Sequence, residues 1–264
     1  MKPALACENV SKGFGARKVL QGVNFEVHEG ETLVIMGGSG CGKSTLLRIL
    51  TGLLEPDEGE VFHFGKEMTG APEEEKDEIR KGFGMLFQGA ALFNSLTVGE
   101  NVALPLREHA GLAEEIIQII VKVKLELVGL TGFQDFMPYE ISGGMKKRVG
   151  LARAIALDPK VVFYDEPGAG LDPITASVID RLIRDLSKKL KITSVVVTHE
   201  MNSAFRIADR MIVLQQGKVV AQGAPQEVRN SSHPYVRQFI HGEFEGPVHF
   251  HETKESYLKG IFGE

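Results

Sequence analysis

The sequence predicts an α/β fold in which a core built on a mixed β-sheet is interrupted by a helical subdomain. Three observations carry that expectation. An apolar run, TLVIM at Thr32 to Met36, feeds directly into the glycine-rich stretch GGSGCGKST, as a buried strand does before a loop and helix. Apolar runs of strand length return late in the chain in VVFYDE, TSVVVTHE and RMIVLQQGKVVAQG. Between about Ala90 and Leu157 the period changes, and apolar residues recur at helical spacings of three and four.

In chain order, ENVSKGFG and KVLQGVNFEV read as short strands separated by glycine. After TLVIM, a helix KSTLLRILTGL starts at Lys43 and stops near Gly52, with EPDEGE as the turn that follows. VFHFG and GFGMLF read as further strands. VGENVALPLREHAG, the segment from Ile116, and KKRVGLARAIAL supply the helices of the insertion, and TASVIDRLIRDLSKKL bridges the first two late strands. No internal repeat or low-complexity segment is present. The expected division is a core of residues 1–89 and 158–242, a helical subdomain of 90–157 and a C-terminal extension of 243–264.

The chain has 264 residues, 43% hydrophobic and 25% charged, enough to bury a sizeable core. A formal net charge of -5 argues against nucleic acid as a partner, because neutralising phosphates takes a basic excess. Two cysteines, Cys7 and Cys41, do not make a disulfide framework, and both read as small buried or loop residues. The start has no apolar stretch of signal-peptide length. The most apolar segment, IIQIIVKVKLELVGL, is broken by Lys122, Lys124 and Glu126 and reads as a surface helix. If the protein works at a membrane, another chain must span it.

The motifs carry specific chemistry. GGSGCGKST places Gly37, Gly38, Ser39, Gly40, Cys41, Gly42, Lys43, Ser44 and Thr45 between a strand and a helix, the context of a phosphate-binding loop for ATP. Glycines let successive N–H groups turn inward, and the helix N-terminus favours an anion. Lys43 would hold the β and γ phosphates, and Ser44 would ligate Mg²⁺. VVFYDE ends an apolar strand in two carboxylates: Asp165 to reach Mg²⁺ through water, Glu166 to orient and polarise the attacking water. A second cradle, ISGGM, sets Ser142, Gly143, Gly144 and Met145 at another helix start. One nucleotide needs one cradle, so the second is expected to serve ATP held by a second copy of the chain in a symmetric dimer.

GGSGCGKST, Gln88, ISGGM, VVFYDEP, GLDP and His199, in that order across nearly the whole chain, resemble the nucleotide-binding subunits of ABC transporters. The resemblance implies a phosphate-loop ABC ATPase core, a helical subdomain carrying the signature motif, and a dimer that sandwiches ATP. It implies that Phe14 stacks on adenine, that Gln88 senses Mg²⁺ and γ-phosphate, that Asp172 communicates across the dimer, and that His199 contacts the γ-phosphate. Read alone, Phe14 could be core and His199 a strand-end histidine bonded to backbone. Met145 departs from the family's usual glutamine and should tune contacts to the sugar. The KKR run, Lys146 to Arg148, reads as a solvated or phosphate-near helix face.

ISGGMKKRVGLARAIALDP, DEPGAGLDPITA and NVALPLREH are similar to the ATPases of Mla-type phospholipid systems. That branch implies a polytopic permease, a lipid-binding subunit with a mammalian-cell-entry domain, a role in outer-membrane lipid asymmetry, and a peripheral place on the cytoplasmic face of the inner membrane. The other reading is a soluble ABC-type ATPase acting as scaffold or mechanical switch, disfavoured by the single cassette and the lack of a coiled-coil insertion. Leu92 and Phe93 either line a groove for a permease helix or belong to the subdomain core. The tail from Glu243 is expected to dock on the opposite subunit, and His249 and His251 make no metal site.

Overall fold

The computed structural model describes residues 3–247. Ten strands and nine α-helices are assigned among them, and the strands form two sheets rather than one. β1 (Leu5–Phe14) and β2 (Arg17–Val27) make a hairpin, and β4 (Glu58–His63) and the short β5 (Lys66–Glu67) extend it into an antiparallel sheet of order β2-β1-β4-β5. The second sheet contains β3 (Thr32–Gly37), β6 (Phe83–Leu86), β7 (Val161–Asp165), β8 (Thr193–Val197), β9 (Arg210–Gln215) and β10 (Lys218–Gly223). Its order is β10-β9-β3-β8-β7-β6, parallel except for the β10–β9 pair, so it is mixed as expected.

The central strands are apolar on both faces because both are covered. Val34 and Met36 of β3 point into one core with Val162, Tyr164 and Val196. The alternate residues Leu33 and Ile35 point into a second core with Phe163, Val195 and Val197. The second core is closed by α1 (Lys43–Leu50) and the antiparallel sheet, through Leu46, Leu50, Leu20 and Val23. The first is closed by the insertion helices α3 (Val98–His109), α4 (Glu114–Leu127) and α5 (Gly143–Ala154), and by α6 (Pro173–Leu190). Each fully buried aliphatic side chain contributes roughly 1.5–3 kcal/mol to this closure.

Helix starts are chemically marked. Thr97 and Glu100 form a reciprocal capping box at α3, Ser142 caps α5, and Asp172 caps α6 ahead of Pro173. Three helices lie outside the sequence reading: α2 (Glu73–Arg80), α7 (Met201–Ile207) and α8 (Pro225–Arg229). The segment beginning at His233 also folds as a helix, α9 (Pro234–His241). Cys7 and Cys41 are both buried and free. No helix among the described residues is long and apolar enough to cross a membrane. Most of the tail, with His249 and His251, lies outside the described residues.

Candidate nucleotide-hydrolysis site

Neighbouring parallel strands β3, β8 and β7 all end on one edge of the sheet, and their C-terminal ends carry the loops expected to bind and react. The register pairs Ile35 with Val197 and Val197 with Asp165, so Gly37 at the end of β3 lies beside the adjacent loops that begin at Thr198 and Glu166. The phosphate loop is tightly enclosed. A Cβ on Gly37 (φ 151) would lie 2.4 Å from Leu214 O, and one on Gly42 (φ 110) 2.7 Å from Leu20 Cδ2, so both places require glycine. Gly217 N–H donates to Cys41 O (3.1 Å) and Arg17 Nη2 to Gly40 O (3.4 Å). Lys43, buried, folds its ammonium back onto the loop's own carbonyls, Gly37 O at 2.7 Å and Gly38 O at 3.0 Å. Ser44 and Ser39 are exposed.

Glu166 sits just past the end of β7 with φ 48, a left-handed backbone that a side-chain-bearing residue rarely adopts. Its N–H donates to Val197 O at 2.8 Å. Three donors fix its carboxylate: Thr198 Oγ1 at 3.1 Å and His199 N–H at 3.3 Å on Oε2, and His199 Nδ1 at 2.8 Å on Oε1. A Glu–His pair is therefore assembled, and His199 Nε2 is left for another partner. Asp165 Oδ1 is buried without a hydrogen-bond partner. Burial, and then the neighbouring Glu166 carboxylate, pushes Asp165 above the usual carboxylate range, while Arg48, then Lys147 and Lys43, oppose the shift. A carboxylate oxygen left bare and costly beside the phosphate loop fits a site for a divalent cation.

Phe14 is 53% exposed at the β1–β2 turn, pairs with Arg17 and has Lys12 Nζ 5.8 Å from its ring centroid, so its ring does not belong to the core. Gln88 is exposed in the loop after β6, the neighbour of β7. The signature turn Ser142–Met145 lies elsewhere: a Cβ at Gly143 would face Leu171, and one at Gly144 would lie 2.4 Å from Thr175 Cγ2. Ser142 Oγ accepts from Met145 N–H at 3.3 Å. Met145 packs partly against the core, which leaves less of its side chain for sugar contacts than expected. Asp172 Oδ1 accepts from Ile174 and Thr175 N–H, both at 3.0 Å, and its Oδ2 from the Thr175 hydroxyl. These bonds, the Thr175 hydroxyl foremost, hold the Asp172 carboxyl below its ordinary range.

Two expectations are corrected. Within the KKR run the solvated alternative fails at Lys147, which is 5% exposed and bonded inward to Glu166 O and Gln88 O, while Lys146 and Arg148 are half-buried. Leu92 and Phe93 do not act as a pair: Leu92 packs on the core, while Phe93, 52% exposed, lines an open groove with Phe87, Ala91, Leu104 and Pro105. Asn101, which the sequence reading missed, is fully buried and holds that segment. Its Nδ2, with two hydrogens, lies within hydrogen-bond distance of Phe93 O, Leu96 O and Thr97 O, which share its two N–H groups, and its Oδ1 accepts from Phe93 N–H at 2.8 Å. A polar residue at a core-facing position of the α3 pattern was the available signal.

A phosphate loop, a strand-end acid pair and a histidine set on adjacent parallel strands define a nucleotide-hydrolysing α/β cassette. A family model described as ABC transporter matches residues 20–169. An intermembrane phospholipid transport system ATP-binding protein, MlaF, of Haemophilus influenzae is 42% identical over 255 residues, covering 97% of this chain and 97% of that protein. A probable ribonucleotide transport ATP-binding protein, mkl, of Mycobacterium leprae is 40% identical, covering 97% of this chain and 74% of that protein. Among solved structures, the dimeric post-hydrolysis state of the ATP-binding cassette MJ0796 bound to ADP and Pi is 34% identical. It has a TM-score of 0.77 and covers 84% of this chain and 98% of that one. The chain belongs to the ABC transporter family and is an ATP-hydrolysing subunit.

Proposed function

We propose that two copies of this chain close around two ATP molecules, each bound by the phosphate loop of one copy and the signature turn of the other, and that closure drives a membrane permease. The single observation that carries the reading is the Glu166–His199 pair on the strand edge that also holds Lys43. In this reading Gly37–Thr45 cradle the phosphates and Lys43 leaves its own loop carbonyls to hold the β and γ groups. Ser44, Gln88 and Asp165, the last through water, would hold Mg²⁺, which when bound offsets charge on the phosphate oxygens. Glu166 orients water, His199 engages the γ-phosphate, Phe14 stacks on adenine, and Ser142–Met145 and Asp172 meet the partner copy. The division into a catalytic core of 1–89 and 158–242, a signature subdomain of 90–157 and an extension from 243 follows from the same reading.

Phospholipid is the proposed cargo. The relative whose printed name gives that cargo aligns over nearly the whole of both chains, and the groove beside Phe93, with an apolar floor and charged walls that include Glu78, Glu108 and Arg153, offers a seat for an amphipathic permease helix. The complete system would add a mammalian-cell-entry lipid-binding subunit, act in outer-membrane lipid asymmetry, and hold this subunit peripherally on the cytoplasmic face of the inner membrane.

Two experiments separate the parts of the proposal. Glu166→Gln should keep MgATP binding and lose at least roughly 100-fold in turnover, the scale of a general-base role; near-normal turnover overturns the assignment. Purification from native membranes in mild detergent should recover a polytopic permease, a mammalian-cell-entry subunit and phospholipid, and Phe93→Asp should lose the permease. Recovery of only a soluble partner would remove the transport reading while leaving the ATPase.

A further inference from the structure

Helix α5 begins at the signature turn, but its second and third turns are bonded to two other functional segments. Lys147, buried, donates through Nζ to Glu166 O at 3.2 Å and also to Gln88 O. Further along the same helix, Arg153 donates to Ala91 O at 2.8 Å and Ala90 O at 2.7 Å. Three of the residues held in this way are left-handed and are not glycine: Ala90 (φ 61), Ala91 (φ 47) and Glu166 (φ 48). Such backbones cost on the order of 1 kcal/mol or more each and persist where the surroundings over-determine them. The ammonium also lies among the Asp165, Glu166 and Glu200 carboxylates, which oppose the downward push of burial on its pKa. A buried lysine is expensive unless fully engaged, and this one is engaged by two carbonyls from two different loops.

We propose that Lys147 is a positioning residue for hydrolysis, tying the main chain of Glu166 to that of Gln88 so that the backbone next to the Phe93 groove and the water-orienting carboxylate move together. The proposal rests on Glu166 as the residue that orients water. Lys147 touches no reacting atom in this scheme. It acts by holding the left-handed backbone of Glu166 against α5, a helix whose far end grips Ala90 and Ala91.

The test measures steady-state MgATP hydrolysis by the purified full-length chain as Lys147→Met, Lys147→Gln and Glu166→Gln, with a thermal melt for each. Lys147→Met keeps length and apolar volume and removes the donors. Expected is a fall of roughly tenfold or more in kcat with KM within about twofold, the split that marks loss of a transition-state interaction. Lys147→Gln, which retains amide donors, should fall in between. If Lys147→Met keeps kcat within about twofold while Glu166→Gln is inactive, the proposal is wrong and the role of Glu166 stands. If Glu166→Gln turns over normally, the role of Glu166 is wrong instead. A kcat loss matched by a rise in KM and by a lowered melt assigns Lys147 a merely structural role and overturns the proposal. Should the Met variant not fold, the Gln variant decides on the same criteria.

Discussion

The Tyr235 hydroxyl accepts a hydrogen bond from the Gly38 N–H at 3.0 Å, joining the C-terminal helix α9 to the phosphate loop across 197 residues of sequence. The ring is held by stacking on Phe239, with centroids 5.7 Å apart and planes at 9°, and burial pushes the phenol pKa up. The second N–H of the loop thus faces a protein acceptor. Tyr235→Phe keeps the stack and removes the acceptor. We expect a loss of about 1 kcal/mol in denaturant unfolding and a KM for MgATP raised a few-fold. An unchanged midpoint and KM would mean that water replaces the hydroxyl without consequence.

Asn101 spends its whole side chain on the backbone of the segment from Phe93 to Thr97. Asn101→Ala leaves Leu96 O and the Phe93 N–H to find other partners in a dry setting, while Phe93 O keeps the Leu96 N–H and Thr97 O keeps the N–H of residue 101. A destabilisation of about 2–3 kcal/mol is expected, read from the urea midpoint, with faster amide exchange confined to residues 93–97. Exchange that rises uniformly over the chain would contradict a local role.

Gly144 marks the contact of α5 with α6. A methyl there would press on Thr175 Cγ2, and Thr175 cannot swing away freely because its hydroxyl and N–H are engaged by Asp172. Gly144→Ala should therefore cost about 1–3 kcal/mol as overpacking. The double variant with Thr175→Ser, which drops the methyl and keeps the hydroxyl, should recover most of it. A cycle showing simple additivity of the two changes would place the strain elsewhere.

His63 gives the chain an acid-sensitive core. Its Nε2 lies 2.7 Å from Leu50 O, so in the neutral ring it carries the proton, and Nδ1 is buried without a partner. Burial lowers its pKa from 6.5 to about 4. The folded state thus prefers the neutral ring: its contribution is complete above pH 6.5 and is lost progressively as pH falls toward about 4, by about 3 kcal/mol in all. In urea titrations between those limits, His63→Phe should flatten this slope whatever it does to stability at neutral pH. A slope equal to that of the parent chain would assign the acid sensitivity to carboxylates.

Elements whose periodicity matches their burial were legible in the sequence. β3, α1, β7 and α6 are bounded by glycine, lysine or proline signals and bury the faces that the pattern marks. α2 was not legible by periodicity, because EEEKDEIR offers one apolar residue and buries Ile79 together with the stem of Lys76. Its signals were Pro72 and an acidic first turn. α9 carries Pro234 at its start and Gly242 in a left-handed cap at its end, the two signals in its sequence that mark a helix. Motif spacing pointed to Lys43, Asp165 and Glu166, and the family resemblance to His199, but pairing of Glu166 with His199 depends on strand order, which the spacing does not encode. The burial of Lys147 was not legible, because a basic run resembles a wet surface until the neighbouring loops are in place.

The strand that carries the phosphate loop lies between β8 and β9, both made long after it. During synthesis the hairpin β1–β2 can pair at once and β4 soon after, whereas β3 waits with both backbone edges bare until β8 has been made, and with one edge bare until the chain has passed Arg210. Long-range parallel pairing of this kind is slow, and an apolar strand with two free edges is a template for association with other chains. A product ending anywhere between α1 and β8 would therefore be expected to aggregate rather than to bind nucleotide, so the ATP-holding loop becomes useful only when the last quarter of the polypeptide arrives.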